Sequence, residues 1–439
     1  MIVVILGADG YIGWPLARRF STEGHTVVAV DNYFRRRAAW ELDCEPLLPS
    51  PSLTGRAKRW AQTSGKTIHV RIGDVTDRRF LARLLRRHEP DVVVHLAEQR
   101  ATPYAMLDFP HAAFTLSNNV LSTLSAAWTI LEICLQCHLV KLGSLGEYGT
   151  PNVEIPEGWF DYTAGGRTDR LLFPRHALDI YHLSKVMDTD LLEMFVRTHG
   201  LTVTDLMQGI VYGLDESGTP TTLMTNFQYD DVFGTVLNRF IVQSVAGHPL
   251  TVYGKGGQTR GVISLKDAVQ CIYLAAVRPP ECATLRVFNQ FTETFAINQL
   301  AQKVKAEGGQ LGMHVEINHT QNPRCEAESH YYAPRFKKLT RLGFRPHLLD
   351  DKALSRMLRF VVQHRQRIDD RKIVRHTLAA PRTRVRMPPL PSGEAIGLEC
   401  ATSTPVVGAG CADSANLQGP PSTQGATTKP NGVAFRPYS

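Results

Sequence analysis

In the stretch DIYHLSKVMD, Tyr181 and Lys185 stand four residues apart, which places a phenol and an ammonium on one face of a helix. Tyrosine and lysine meet at that spacing in many helices, so the pair gains meaning only from its surroundings. Earlier in the chain, HLVKLGSLGEYGTP reads as a buried strand that stops at Ser144 and turns through glycines. A phenol that takes a proton from an alcohol must ionise well below its ordinary ~10. A neighbouring ammonium favours the phenolate, and a serine hydroxyl can hold the alcohol in line. Together the three residues suit abstraction of a proton from a hydroxyl that is being oxidised.

Such an oxidation needs a hydride acceptor. ILGADGYIGWPLARRF sets Gly7, Gly10 and Gly13 between a strand and a helix. Glycines there permit a tight turn and let the backbone approach a pyrophosphate at the helix N-terminus. The second strand, TVVAVDN, ends in Asp31, whose carboxylate accepts hydrogen bonds from an adenine-ribose diol and repels a 2′-phosphate. This favours NAD over NADP, although Arg35 and Arg36 stand near enough to neutralise a phosphate. Asp74, in IGDV, is either the edge of an adenine pocket or the cap of the helix DRRFLARLL. Tyr11, Ile12, Asn32, Val75, Leu96 and Ala97 complete the expected cofactor lining, which Tyr181 and Lys185 also reach. An oxidised nicotinamide ring would add positive charge beside Tyr181.

These side chains need rigid elements to hold them. Short β-branched runs alternate with amphipathic stretches, predicting parallel strands at IVVILG, TVVAVD, IHVRIGD, DVVVHLA, HLVKLGS, TVTDLMQG and LRVFNQ. Residues 32–66 read as an insertion, a loop beside a short helix RAKRWAQ. DVFGTVLNRFIVQSVAG reads as a helix, and HPLTVYGKGGQTRGVISLKDAVQCIYLAAV as strand, turn, strand and helix. The expected fold is α/β, a Rossmann-type doubly wound parallel sheet with a smaller mixed α/β substrate-binding domain and a disordered C-terminal tail. The NAD-binding part covers 1–213, with 264–289 returning to it. Residues 214–263 and 290–373 form the second part. The tail, 374–439, is rich in Pro, Gly, Ser, Thr and Ala, and buries too little area to offset its ordering entropy.

The net charge of +8 over 439 residues raises nucleic acid as a ligand. The basic residues, however, cluster in RRR at 35–37, ARLLRRHEP and QHRQRIDDRKIVRH without interleaved aromatics, as solvated faces and a basic linker do. Of eight cysteines, Cys134 and Cys137 in EICLQCHLV are close. No second pair matches them as a zinc site requires, so they read as buried thiols and no metal is expected. No apolar run approaches the roughly 18 to 20 residues of a membrane span. Met1 leads straight into a strand, and a cytoplasmic location is expected.

The glycine loop, Asp31, Ser144 and the Tyr181–Lys185 pair resemble the extended short-chain dehydrogenase/reductase family of the NAD-dependent epimerase/dehydratase type, whose members act on nucleotide sugars. MQGIVYG and HPLTVYGKGGQTRG agree with it. From Met1 to about Asp369 the resemblance narrows to the sulfolipid-pathway branch, through VVHLAEQRATPYAM, NNVLSTL, GRTD, YHLSKV, DDVFGTVLNRF, RVFNQFTETF and NPRCEAESHYY. Family dehydratases carry an Asp-Glu pair just after the catalytic hydroxyl residue, one to protonate the departing C6 oxygen and one to take the C5 proton. Here Leu145 and Gly146 stand in those places, as in the sulfolipid branch.

The resemblance therefore implies a cycle on UDP-glucose with tightly bound NAD: C4 oxidation, loss of water across C5 and C6, sulfite addition and re-reduction. An NAD-dependent 4-epimerase or 4,6-dehydratase is the alternative. A non-catalytic NAD-binding regulatory module is the third reading, disfavoured because Tyr181 and Lys185 are both present. His182 is the candidate acid, with a structural role as its alternative, and Glu147 is open to the same two readings. Gln99 and Arg100 in AEQR are assigned to sulfite, free or brought by a sulfur-donor protein. Arg260 and Arg324 are the expected diphosphate ligands. Gln208, Asn238, Thr251, Tyr253 and Gln258 are the polar lining, Glu326 and Tyr331 complete the sugar end, and Asn118 lies near the cofactor. Ser144 replaces the branch's usual threonine and keeps the hydroxyl with a looser rotamer. A homodimer is implied, through helices built from NNVLSTLSAAWTILEI and YHLSKVMDTDLLEMFVRTHG.

Overall fold

The seven predicted strands lie side by side in one sheet. A computed structural model describes residues 1–215, 218–323 and 326–373. The expected tail, 374–439, lies outside the described residues. The chain begins β1 (Ile2–Leu6), α1 (Gly13–Thr22), β2 (Thr26–Asp31), α2 (Phe34–Glu41), α3 (Leu53–Ser64), β3 (Ile68–Ile72), α4 (Arg78–His88) and β4 (Val92–His95). Next come α5 (Thr102–Ala105), α6 (Phe109–Ile133), β5 (His138–Ser144), a hairpin of β6 (Trp159–Ala164) and β7 (Arg167–Leu172), α7 (Ile180–His199), β8 (Thr202–Gln208) and β9 (Ile210–Tyr212). The remainder is α8 (Val236–Ala246), β10 (Leu250–Tyr253), β11 (Thr259–Ser264), α9 (Leu265–Val277), β12 (Leu285–Gln290), β13 (Glu293–Ala296), α10 (Ile297–Gln310), β14 (Ile317–Thr320), α11 (Lys338–Arg341), α12 (Asp351–Gln363) and α13 (Asp370–Ile373).

The large sheet has the order β12-β8-β5-β4-β1-β2-β3, with every pair parallel. Val3, Val4, Ile5 and Leu6 are all buried, as are the four residues of β4. Strands covered by helices on both faces must be apolar throughout, which is why these runs do not alternate. The order reverses between β1 and β4, so their outgoing loops diverge and open a crevice at the carboxyl ends, where doubly wound sheets bind ligands. Gly7, Asp31, Leu96, Ser144 and Gln208 all close or follow strands at that edge, and Ser144 pairs in register with Gln208.

Beyond β8 a second apolar cluster gathers Phe240 and Ile241 of α8, Leu300 and Val304 of α10, and Leu354 and Leu358 of α12. It is flanked by the parallel pair β10–β14 and by β13-β11-β9. Two stretches differ from expectation. The 32–66 insertion holds α2 as well as an α3 of 12 residues, longer than RAKRWAQ and capped by Ser52, whose side chain accepts from Gly55 N. The helix expected from Asp231 starts only at Val236. Asp230 Oδ1 accepts from the amides of Val232 at 3.0 Å and Phe233 at 2.6 Å, folding those residues into a turn instead. Among the described residues no helix is long and apolar enough to cross a membrane.

His138 opens β5 beneath the neighbouring strands, with Nε2 2.9 Å from Thr204 Oγ1 of β8. Burial, then the Arg286 guanidinium on β12, pushes its pKa down to about 3. Burial likewise brings His95, at the end of β4, down to about 4. Both folded-state values lie below the ordinary 6.5 of histidine. The stability they support is therefore complete above that pH and is lost as pH falls toward the folded values, by about 1.4 kcal/mol per pH unit per residue. Urea denaturation followed from pH 7 to 4 should show a shallower loss for His138→Gln than for the parent. Equal slopes would mean that His138 is not held neutral in the fold.

Candidate active site

Ser144 ends β5, and its Oγ accepts a hydrogen bond from Gly146 N at 3.1 Å. Its own N–H donates to Glu147 Oε1 at 2.8 Å, closing a capping box on the short turn Leu145–Tyr148. Glu147 is fully buried, and its other oxygen accepts from Thr189 Oγ1 at 3.1 Å. Lys185 is drawn inward as well: Nζ donates to Leu142 O at 2.6 Å and forms a buried ion pair with Glu98. Sequence reasoning passed over Glu98, although it stands directly before Gln99 in AEQR. Its signal is an acid placed where a buried strand ends. Burial works against the Glu98 charge, but the Lys185 ammonium outweighs this and holds the carboxyl below its usual range. Burial, and next the Glu98 carboxylate, raises the Tyr181 phenol well above its ordinary value, while Arg100 acts the other way. The phenol is thus protonated by default, and added positive charge at the crevice is what would make it a base.

His182 follows Tyr181 at the start of α7. Asp179, the N-cap of that helix, accepts from His182 N at 2.9 Å, and its second oxygen lies 2.7 Å from His182 Nδ1. A carboxylate there keeps a proton on Nδ1 and leaves Nε2 as the working nitrogen. Nε2 faces Gly146: a Cβ built at that glycine would fall 2.1 Å from it. The imidazole fills the room left by the missing side chain, beside the position that lacks an acid in sequence.

The glycine loop packs too closely on its neighbours to carry side chains. Gly7 has φ +85°, and a Cβ on it would meet the Leu96 carbonyl at 2.6 Å. A Cβ at Gly13 would lie 2.2 Å from Gly7 O. Side chains at either place would force the loop from the N-terminus of α1. Asp31 Oδ2 accepts from Asp9 N at 2.9 Å and Oδ1 from Tyr33 N at 2.7 Å. Burial, then the nearby Asp9 charge, pushes its pKa up to about 6. Asn32 donates to Asp74 at 2.8 Å. Burial opposes the Asp74 charge, but hydrogen bonds from Thr76 and Asn32 prevail and hold it below the usual range. The backbone of Leu96 and Ala97 abuts Gly7, Val75 next to Asp74 is buried, and Tyr11 OH donates to Gly213 O at 2.5 Å. Asn238 caps that link by accepting from Gly213 N at 3.0 Å. These residues fit a dinucleotide with an adenine ribose at Asp31.

The two arginines expected near a phosphate part company. Arg36 is bidentate to Asp9, at 2.6 and 2.8 Å, and the fully buried Arg56 joins the same carboxylate at 2.6 Å. Arg35 instead stacks on Phe233, its Cζ 3.2 Å from the ring centroid, and bonds to Gln228. Arg100 donates to Phe233 O at 3.2 Å, and burial lowers both guanidinium groups from their ordinary range. Arg35 therefore belongs with Arg100 at the crevice. Gln99 is committed to the loop, donating to Ala101 O and Thr115 Oγ1 at 3.0 Å each. Asn118 points to its neighbour Asn119. Asn119, absent from the expected residues, knits the site by bonding Gln99 and Ser184 at 2.9 Å each.

Farther out, Arg260 pairs with Glu326, and Arg239 reaches Tyr253 OH at 3.3 Å. Gln208 Oε1 and Gln258 Oε1 are buried acceptors with no donor among the described residues, as a site for a polar ligand would leave them. Thr251 is engaged by Gln243, and Tyr331 is exposed. Arg324 lies outside the described residues.

Residues 3–289 match the NAD dependent epimerase/dehydratase family. The chain is 46% identical over 374 residues to the chloroplastic UDP-sulfoquinovose synthase of Spinacia oleracea, covering 85% of this chain and 78% of that one. It is 42% identical over 390 residues to the UDP-sulfoquinovose synthase of Sulfolobus acidocaldarius, covering 88% and 98%. The solved UDP-glucose 4-epimerase from Bifidobacterium longum, in complex with NAD+ and UDP, shares the fold with a TM-score of 0.64 at 19% identity, over 84% of this chain and 100% of that one.

The Asp9 cluster under the glycine loop is testable by stability. Asp9→Asn leaves the buried Arg56 without its anion, and removing one partner of a buried pair destabilises by roughly 3–5 kcal/mol. Adding Arg56→Met should restore much of that loss in urea denaturation. A single variant as stable as the parent would show that the cluster does not support the loop.

Proposed function

This chain belongs to the NAD dependent epimerase/dehydratase family and, within it, to the UDP-sulfoquinovose synthases, and from that premise we propose that it makes UDP-sulfoquinovose from UDP-glucose and sulfite. NAD is its cofactor and, when bound, supplies the acceptor and later the donor of the C4 hydride. Gly7, Gly10, Gly13, Asp31 and Asn32 hold it, with Tyr11, Ile12, Asp74, Val75, Leu96, Ala97 and Asn118 around them. Tyr181 removes the proton of the C4 hydroxyl while Ser144 Oγ keeps that oxygen in line, and the Lys185 ammonium favours the phenolate. Oxidation at C4 makes the C5 proton acidic. His182 Nε2, with Asp179 holding the proton on the other nitrogen, takes that C5 proton and delivers it to the oxygen leaving C6, so that water is lost with no net change at the imidazole.

The observation that carries this reading is the imidazole seated against Gly146, in the space where a dehydratase would carry its acid pair. Sulfite adds at C6 beside Arg100, with Arg35 adding a second guanidinium, and C4 is reduced again. The UDP portion is assigned to Gln208, Asn238, Thr251, Tyr253, Gln258, Arg260, Arg324, Glu326 and Tyr331, with Arg239 added. Gln99 acts by shaping the Arg100 loop. On this reading, 1–213 and 264–289 carry the cofactor, and 214–263 and 290–373 the sugar nucleotide. The protein works in the cytoplasm as a homodimer, joined through exposed Leu121 and Trp128 of α6 and Leu183 and Met187 of α7.

Incubation with UDP-glucose, with and without sulfite, followed by mass spectrometry, tests the reaction. A sulfonated UDP-sugar is expected only with sulfite. UDP-galactose or a 4-keto-6-deoxy sugar in both tubes would point to a 4-epimerase or 4,6-dehydratase instead.

Two variants test the assignments. Gly146→Ala should displace His182 and lower turnover by about 10²-fold or more while NAD affinity is unchanged; near-parental turnover would remove His182 from the acid role. Arg100→Ala should lose sulfonation and still bind NAD, and undiminished sulfonation would place the sulfite site elsewhere.

A further inference from the structure

Outside the reaction above, one pair of nucleophilic side chains has no role. Cys134 closes α6 as its C-cap, and Cys137 lies immediately before His138, the first residue of β5. Cys137 N donates to Cys134 O at 2.7 Å, so the four residues form a hydrogen-bonded turn. Such a turn holds its end Cα atoms within ~7 Å of each other, near the ~4.4–6.8 Å span that a disulfide bridges. The Cys137 thiol donates to His138 O at 3.9 Å. Cys137 is 2% exposed and Cys134 is half-buried. Both line a cavity of about 560 Å³, with Arg86, Glu89, Asp91 and Gln136 among its other walls. This cavity lies at the amino-terminal end of β5, opposite Ser144. Among the described residues no group of histidine, cysteine and carboxylate side chains gathers as a metal site.

We propose that Cys134 and Cys137 are a reversible redox pair that closes to an intramolecular disulfide by exchange with a small disulfide of the glutathione class. The geometry divides the roles. Cys134 is the sulfur that the cavity exposes, and the neighbouring Cys137 thiol holds it below the ordinary range. Cys137, shut off from solvent, is the resolving partner, and its contact with Cys134 and its burial push its thiol up. The Cys134 thiolate attacks one sulfur of oxidised glutathione, forming a mixed disulfide and releasing one glutathione thiolate. Cys137 gives its proton to that thiolate and attacks Cys134 Sγ, releasing the second glutathione. Two thiols lose two electrons and two protons, and one oxidised glutathione becomes two reduced ones. The new bond joins the end of α6 to the start of β5, the elements that carry Asn119 and Ser144.

The test uses the full chain in buffers of set oxidised-to-reduced glutathione ratio, quenched in acid, alkylated and digested with trypsin. The tryptic peptide 101–141 contains no other cysteine. With oxidised glutathione in excess it should lose two hydrogens and take no alkyl label, and reduced glutathione should return both labels. In Cys137→Ala the same peptide should keep a glutathione on Cys134, because nothing resolves it. Exposed Cys282 reports that the oxidant is active. Two alkyl labels on the parental peptide while Cys282 carries glutathione would overturn the proposal, as would a lasting glutathione adduct on parental Cys134.

Discussion

Two ammonium groups buried side by side govern how this site is built. Lys141 on β5 and Lys185 on α7 are both shut off from water, and a buried cation is tolerated only with anions to match it. Lys141 lies 3.7 Å from Asp205 on β8, 3.9 Å from Asp188 on α7 and 4.0 Å from Glu147. Lys185 takes Glu98 from the loop after β4. Thr189 Oγ1, 2.7 Å from Asp205 and 3.1 Å from Glu147, ties the carboxylates together. Burial opposes the Lys141 charge, but Asp205 and Glu147 outweigh it and raise its pKa. Moving α7 away from β5 would strand these charges. The cluster therefore sets the distance between Ser144 and Tyr181.

Glycines at the end of β5 give this arrangement its room on both sides. A Cβ at Gly143 would fall 2.6 Å from Asp205 Oδ1 and 2.9 Å from Glu147 Oε1, so the carboxylates fit beneath the strand only because that residue has no side chain. Gly146 does the same for the imidazole above. The stretch LGSLG thus places a hydroxyl between an acidic floor and a histidine. The proposed reaction would use that contrast, with the Tyr181 phenol losing a proton beside the His182 imidazole.

The crevice has the opposite charge at its outer side. Arg35 and Arg100 meet at Phe233, where the turn made by Asp230 brings them together. Two guanidinium groups held close raise each other's energy, which an anionic reactant relieves. Glu98 thus balances the Lys185 ammonium from below, and Arg35 and Arg100 put positive charge at the outer side of the crevice. The dithiol at the far end of β5 stands apart from both.

The sequence alone determined the seven strands, because parallel strands buried on both faces must be continuous β-branched runs, a local pattern. It also determined the glycine loop, the helical spacing of Tyr181 and Lys185, and the lack of an acid pair after Ser144, all of which are short-range facts. Helix α2 and the β6–β7 hairpin escaped because FRRRAAWE shows no clear apolar face and β6 and β7 are largely exposed. Only the tertiary structure decided the partners of the charges. Arg36 turned to Asp9 and Arg35 to Phe233, although they are adjacent in the chain. Glu98 met Lys185 across 87 positions of sequence, and His182 filled the space over Gly146. The physical reason is that a charge's partner is chosen by desolvation and packing among residues distant in sequence, which no local spacing records.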